Sequence, residues 1–395
     1  MTSALTQYGV DDLQIILGAF SDLGTDILSG VVTEHIKAVN KKELRKFKMK
    51  EACEMTERSD AFLRKLEQAD PSFEPEKING IRYYTLELIN RIRDKAGTRY
   101  KRPAGSDPII IAISHFKGGV GKSTTTKAMA DKFALSGLRV LGIGMDGQGT
   151  DALYYGFIPD LDISPEETIR SALLNDPSSI KKLIKNTYFN GIDIIPGNLT
   201  LTQVEIKLTD YKDQINQVKK LGFPDERLAN ALKFIKDDYD VILLDCGPNL
   251  NILTLNAINA CNALLIPVPP ALPDLASFCT YCKTLREHLE FSGKTKTLEF
   301  FRVLVTKHPK NKPSENILKL MLKEFGSYVM QKHIVYSAEI ERAAANFCSL
   351  YELPSSSQKT YQRGLESMEG VFGEILDAFK QIWEAAANEV NEDVK

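Results

Sequence analysis

Residues 117–124, Lys117-Gly118-Gly119-Val120-Gly121-Lys122-Ser123-Thr124, combine three glycines with two lysines and two hydroxyls. That set suits phosphate. Glycines at 118, 119 and 121 let the backbone curl until its N–H groups converge, and a helix opening at Lys122 adds a field that favours negative charge. Lys122 is then expected to reach β- and γ-phosphates, with the Ser123 hydroxyl ligating Mg²⁺. The general phosphate-loop pattern has a glycine where this chain has Phe116, and the loop here begins instead with Lys117. A glycine-rich turn with chance lysines is the plainer account. The apolar run before the loop and the helical pattern after it favour phosphate binding.

Two carboxylates stand where such a loop needs them. Asp245 ends the apolar run VILLD, and from there a carboxylate can hold the water shell of Mg²⁺. Asp146 follows RVLGIGM and precedes Gly147-Gln148-Gly149, where it could orient or activate an attacking water and lie near the metal. Either aspartate alone is more often a cap or turn residue. Both after buried strands, behind this loop, read as functional.

These residues need a scaffold, and the sequence from Ile109 onward supplies one. Val/Ile/Leu-rich runs at 109–114, 139–145, 191–197, 240–246, 263–269 and 302–307 alternate with helical patterns. Nearly continuous apolar strands joined by helices predict a doubly wound, mostly parallel sheet covered on both faces, an α/β fold. Ligand is then expected at the carboxyl ends of the strands. This domain is assigned to residues 106–395.

The preceding chain differs in charge. Net charge is −2 overall, yet residues 1–36 carry −5 and residues 37–105 carry +7. Residues 10–36 show broken helical periodicity, and a dimerisation role is one reading of this N-terminal helical segment. Within 37–105, helical patterns at 49–55 and 58–68 flank Thr56-Glu57, Asn79-Gly80 marks a hairpin turn in 78–85, and a third helix spans roughly 86–96. That order predicts a winged helix-turn-helix domain followed by a linker over 98–108. Arg58, Arg64 and Lys65 fall on its expected recognition helix and Arg82 on its wing. Phosphate contact rather than base readout is expected of any one of them, and a solvated basic face is the alternative.

The motifs together resemble the ParA family of deviant-Walker partition ATPases, specifically its longer members with an N-terminal DNA-binding domain. KGGVGKST (117–124) is close to the family loop, MDGQGT (145–150) resembles its DPQGT segment, and YDVILLDCGPN (239–249) resembles its YDVIxxDxxPN strand. The resemblance covers roughly 45–390. It implies Lys117 as the signature lysine, touching nucleotide across an ATP-sandwiched homodimer, and Lys122 and Ser123 as phosphate and Mg²⁺ residues. It also implies Asp146 as the hydrolytic aspartate and Asp245 as the second acid. Gly118, Gly119, Val120, Gly121 and Thr124 complete the ATP/ADP loop, and Thr306, Lys307 and Pro309 lie where family members contact the base. Two departures stand out: Gly147 replaces the usual proline, and Gly144 sits where many relatives have another acid. The expected partners are DNA, both nonspecific and operator, and a ParB-like centromere-binding protein. The expected location is the bacterial cytoplasm, on the nucleoid. A nucleotide-regulated transcriptional repressor, with hydrolysis incidental, is the alternative.

Other features exclude more than they suggest. No run of eighteen apolar residues is present, so no transmembrane helix and no membrane partner are expected. The start lacks the basic flank and apolar stretch of a signal peptide. Six scattered cysteines point to a reducing compartment rather than a disulfide framework. Cys279 and Cys282 form a CxxC pair with no second pair, and are read as buried helical cysteines. The five histidines are read as structural.

Overall fold

The structure, a computed structural model, describes residues 42–210, 217–293, 295–354 and 356–393. The amphipathic segment 10–36, and the dimerisation role considered for it, lie outside these residues.

All six apolar runs form strands. Numbering strands along the chain, β4 (Ile109–Ile113), β5 (Val140–Met145), β7 (Ile192–Ile195), β8 (Val241–Cys246), β9 (Ala263–Val268) and β10 (Phe300–Val305) pair in parallel. A two-residue strand, β6 (Lys185–Asn186), adds antiparallel to β7 at one edge. The sheet order is β10-β9-β4-β8-β5-β7-β6. Every residue of β8 and of β9 is buried, which is why both read as unbroken apolar runs. Register aligns the carboxyl ends that matter: Ile113 of β4 and Gly144 of β5 both pair with Asp245 of β8.

Ahead of the sheet, helices Met49–Thr56 and Asp60–Ala69 are joined by a turn, with Glu57 left-handed and Ser59 capping the second helix through Phe62 N. Strands β2 (Glu76–Ile78) and β3 (Ile81–Tyr84) make a hairpin about Asn79 and Gly80, whose positive φ values of 50° and 78° suit a tight hairpin turn. Strand β1 (Phe47–Lys48) pairs with β3. Helix Leu86–Ala96 then ends on Gly97 in the left-handed conformation.

Residues Leu44–Lys395 form one compact unit. Leu63, Tyr84, Ile89 and Ile92 share a core with Phe133 of the helix after β4 and with Phe379 and Trp383 of the last helix, Lys359–Asp393. Arg93 pins the contact. Its guanidinium donates to the carbonyls of Met55 at 2.8 Å and Leu135 at 2.7 Å, and to Asn90 Oδ1. Burial lowers Arg93 to about 10, and the nearby Arg99 adds to the effect. Leu135 ends helix Lys122–Leu135, so a cation there also complements the helix dipole. The segment 98–108 is irregular but held down. Arg99 donates to Gly137 O at 2.8 Å, Tyr100 stacks on Trp383, and Trp383 donates to Asp107 O at 3.1 Å.

Candidate functional site

The glycine loop sits between β4 and helix Lys122–Leu135, at the carboxyl edge of the sheet. Gly119 and Gly121 take φ values of 75° and 95°, a conformation that L side chains rarely adopt. Gly121 caps the helix without a side-chain acceptor, so the first-turn amides face outward as an anion site. Lys122 is buried, and its Nζ donates to Lys117 O at 3.1 Å across the loop. Burial lowers the Lys122 ammonium below its ordinary value, and Asp245 opposes the shift. Lys117 is more exposed, and its Nζ lies 2.7 Å from the carboxylate of buried Asp274, at the start of helix Leu272–Ser292. His115 holds the loop from below: its Nδ1 accepts from Lys117 N at 2.9 Å, and its ring stacks on Tyr281. Burial lowers His115 to about 4, so the ring is neutral at physiological pH.

Asp245 is buried beneath this loop. Its Oδ1 accepts from Thr126 Oγ1 at 3.3 Å. Burial pushes its carboxyl up to about 6, against hydrogen bonding from Ser123 and the charge of Lys122. Asp146 occupies the neighbouring turn, accepting from Gln148 N at 3.1 Å. A Cβ built on Gly247, two residues beyond Asp245, would stand 3.4 Å from Asp146 Oδ1. The charge of Asp146 also adds to the rise at Asp245, which puts the two acids in one neighbourhood at the strand ends. Glu205 is a third acid near it, raised by burial and then by Asp146.

A fourth acid has no strand-end signal. Asp151 lies at the start of helix Thr150–Tyr154 and folds back over β5, where its Oδ2 accepts from Gly197 N at 3.1 Å. Its Oδ1 is buried without a hydrogen-bond partner. Burial raises Asp151 to about 7, and the charge of Asp245 adds to it. A group whose folded value is raised stabilises the fold fully at low pH, and that contribution is lost as pH rises from about 4 through about 7. Without nucleotide or metal, the wild-type chain should thus lose about 2–3 kcal/mol more stability between pH 5 and 7.5 than Asp151→Asn does. Thermal unfolding of both proteins at the two pH values measures this. Equal losses would show that Asp151 ionises normally.

The loop after β10 closes the other side. Thr306 Oγ1 donates to Val120 O at 2.8 Å, and Lys307 pairs with Glu341 at 3.1 Å. A cavity of about 90 Å³ lies here, lined by Gly121, Thr124, Thr306, Lys307, Tyr336 and Ile340 among others. Pro309 is half-buried and outside that lining.

The basic residues of the N-terminal module divide into two groups. Arg58 donates to Ala96 O at 2.8 Å, and Arg82 pairs with Glu67 at 2.9 Å, so both are engaged within the module. Arg58 also precedes the second helix rather than lying on it. Arg64 and Lys65 are exposed on that helix, Arg64 beside Asp60 at 2.5 Å. The CxxC pair lies on helix Leu272–Ser292 as expected, but Cys279 is exposed and Cys282 half-buried, because that stretch of the helix turns partly to solvent. Among the described residues no cluster of His, Cys, Asp or Glu matches a metal centre, and no helix is long and apolar enough to cross a membrane.

A mostly parallel sheet with a glycine loop after interior strand β4, and a buried acid ending the adjacent central strand β8, defines a P-loop nucleoside triphosphatase. Residues 109–294 match the AAA-domain family. SopA of Escherichia coli K12 is 31% identical over 312 residues, covering 76% of this chain and 79% of SopA. A replication protein A of Sinorhizobium fredii is 30% identical over 362 residues, 87% of this chain and 88% of its own length. The chain belongs to the ParA family of partition ATPases, among its SopA-like members. A solved partition protein shares the fold with a TM-score of 0.64 at 20% identity, covering 91% of this chain and 98% of its own. A plasmid partition protein of Borrelia burgdorferi B31, solved with AMPPNP, gives 0.53 at 23% identity over 68% of this chain and 99% of its own.

Proposed function

We propose that this chain partitions plasmid or chromosomal DNA by an ATP-driven cycle. Its ATP-bound homodimer binds nonspecific DNA, and a ParB-like centromere-binding partner stimulates hydrolysis and release. The module before the sheet binds the partition operator and represses transcription in the other nucleotide state. The protein works in the bacterial cytoplasm, on the nucleoid. The observation that carries the reading is the buried Asp245 carboxylate, in register with β4 and β5 beneath an uncapped helix that begins with Lys122.

Each residue has a defined task on this reading. The loop amides and Lys122 bind the β- and γ-phosphates, where charge builds during transfer. Lys117 leaves Asp274 to touch nucleotide in the facing subunit. Asp146 orients the attacking water. Thr306 and Lys307 border the cavity that receives the base, and Pro309 supports their loop. The donor set fits a hard cation: the Ser123 hydroxyl hydrogen-bonds the buried Asp245 carboxylate directly beneath the loop, two oxygen donors of the kind Mg²⁺ prefers. Ser123 and, through water, Asp245 and Asp146 would hold Mg²⁺, which would supply neutralisation of the phosphate charge.

The test is ATP turnover by purified protein, with and without nonspecific DNA and the adaptor encoded beside it. Slow turnover that rises with both additions supports the cycle. Flat turnover, with nucleotide still altering operator binding, would favour a nucleotide-regulated repressor.

For the DNA module, Lys65→Ala should weaken operator binding and lower the salt slope by about 1, the loss of one phosphate contact. Arg58→Ala, whose side chain holds Ala96 O, should lower thermal stability first. Salt-dependent binding titrations on both variants check this. An unchanged slope for Lys65→Ala would remove that residue from the interface.

A further inference from the structure

Residues 76–81, the end of the β2–β3 hairpin, are exposed without a break. A Cβ built on Gly80 would meet no atom within 4 Å, so the tip stands clear of the rest of the molecule. Its cover is apolar. Ile78 and Ile81 are paired directly in register, which puts them on one face of the ribbon, and they are 45% and 48% exposed. Single exposed apolar residues are ordinary on a surface, but here two meet at the point of a projecting ribbon. The next pair back sets Lys77 opposite Arg82 on the other face, two cations side by side. Such a pair destabilises a sheet unless its charge is offset, and Glu74 and Glu67 offset it at 2.6 and 2.9 Å.

The ribbon is held to the helix that carries Arg64 and Lys65. Glu67, in the last turn of helix Asp60–Ala69, accepts from Arg82 Nε at 2.9 Å and from the Tyr84 hydroxyl at 2.6 Å. A helix laid in the major groove of DNA would therefore carry the ribbon onto the neighbouring minor groove. That groove is about 6 Å wide, and a ribbon whose backbones alone lie about 4.8 Å apart does not fit in it flat. Only the end can enter. Here the end is an apolar pair around Asn79-Gly80, in a stretch, 37–105, that carries +7. A protein partner fits less well, because two isoleucine side chains fall far short of the about 800 Å² that each side of a stable interface buries.

We propose that the hairpin tip is a minor-groove wedge. Ile78 and Ile81 enter at one base step of the bound DNA, part its stack and kink the duplex. Lys77, the residue before the wedge, supplies a cation for the flanking phosphate. The inference rests on the DNA-binding reading of this module given above. Apolar side chains used in this way bend DNA by about 20–90° toward the major groove. A flexible pyrimidine–purine step is the cheapest place to insert them.

The experiment uses the full-length chain with ADP and duplexes tiling the DNA just upstream of its own coding sequence. The duplexes carry end labels for energy transfer and 2-aminopurine at single positions. The expected result is a bend of at least about 20° and an unstacked, bright 2-aminopurine at one step of the bound site. Ile78→Thr with Ile81→Thr keeps β-branching and removes the apolar ends. It should lose the bend and bind about tenfold more weakly, with an unchanged salt slope, because an apolar contact releases no counterions. Ile78→Leu with Ile81→Leu keeps the apolar reach and should still bend the duplex. A role confined to hairpin stability would give the reverse order, since β-branched residues favour strands, and that order would overturn the proposal. Wild-type protein that binds a duplex without bending it or unstacking any step would remove the wedge alone. Failure to bind any duplex, even at low salt, would sink the DNA-binding reading and the wedge with it, so the two failures are separable.

Discussion

Lys122→Ala should lower ATP turnover by about 10²–10³-fold and weaken nucleotide binding, whereas Asp146→Ala should lower turnover comparably and leave binding nearly intact. The difference follows from where each side chain stands. Lys122 is buried against the loop, its Nζ 3.1 Å from Lys117 O, directly at the helix start that would hold phosphate. Its charge stabilises bound nucleotide and transition state alike. Asp146 lies outside the loop, at the turn beside Gly247, where its carboxylate accepts from Gln148 N. Single-turnover hydrolysis and equilibrium binding, measured on both variants, separate the two roles. Wild-type turnover in Asp146→Ala would show that another acid, such as Glu205, orients the water. The pair also divides the biology. On the proposed reading the partition cycle would depend on Asp146, whereas a repressor that merely senses nucleotide would not.

The second large effect lies behind the loop. Lys127, on the inner face of the same helix, places its ammonium 2.7 Å from Asp131 and 2.8 Å from Glu352, with the Tyr155 ring at 4.7 Å. Burial disfavours its charge, but Asp131 and Glu352 outweigh burial and hold it protonated. Asp131 is itself raised to about 6 by burial, and Ser349 donates to it at 2.6 Å. Lys127→Met would fill the volume and leave two carboxylates facing each other in the interior. We expect a loss of about 3–5 kcal/mol in unfolding free energy at pH 7. The loss should shrink towards pH 5, as the raised Asp131 carboxyl takes up a proton. Urea unfolding at both pH values tests this, and a pH-independent loss would mean that packing, not charge, accounts for the defect.

Much of the site was legible because its chemistry sits at strand ends. The glycine loop, Asp146 and Asp245 each follow an apolar run, and the parallel sheet brings those ends together. Asp151 was not legible. In GQGTDAL it has the pattern of an ordinary first-turn acid, and only the fold-back over Gly144 gives it a place beneath the loop. Asp274 was missed for another reason. It is separated from Lys117 by more than 150 residues, and no local pattern announces an ion pair made across the sheet edge. His115 was read as structural, and the structure supplies what no pattern gave, its partner: Nδ1 accepts from Lys117 N in the loop. In the N-terminal module the helix and hairpin positions were readable from periodicity and turn chemistry. The partners of its arginines were not, since Ala96 O and Glu67 become neighbours of Arg58 and Arg82 only after folding.

Helix Lys122–Leu135 meets the glycine loop at one end and the Arg93 guanidinium at the other. The basic module is thereby bolted to the catalytic core with no swivel between them, because 98–108 is also pinned by Gly137 and Trp383. On the proposed reading, two subunits closing over nucleotide would set the distance between their basic helices as a fixed gauge. The spacing of operator half-sites would then be dictated by the ATPase dimer, and a shift of half a helical turn, about five base pairs, would turn one half-site away from its reader.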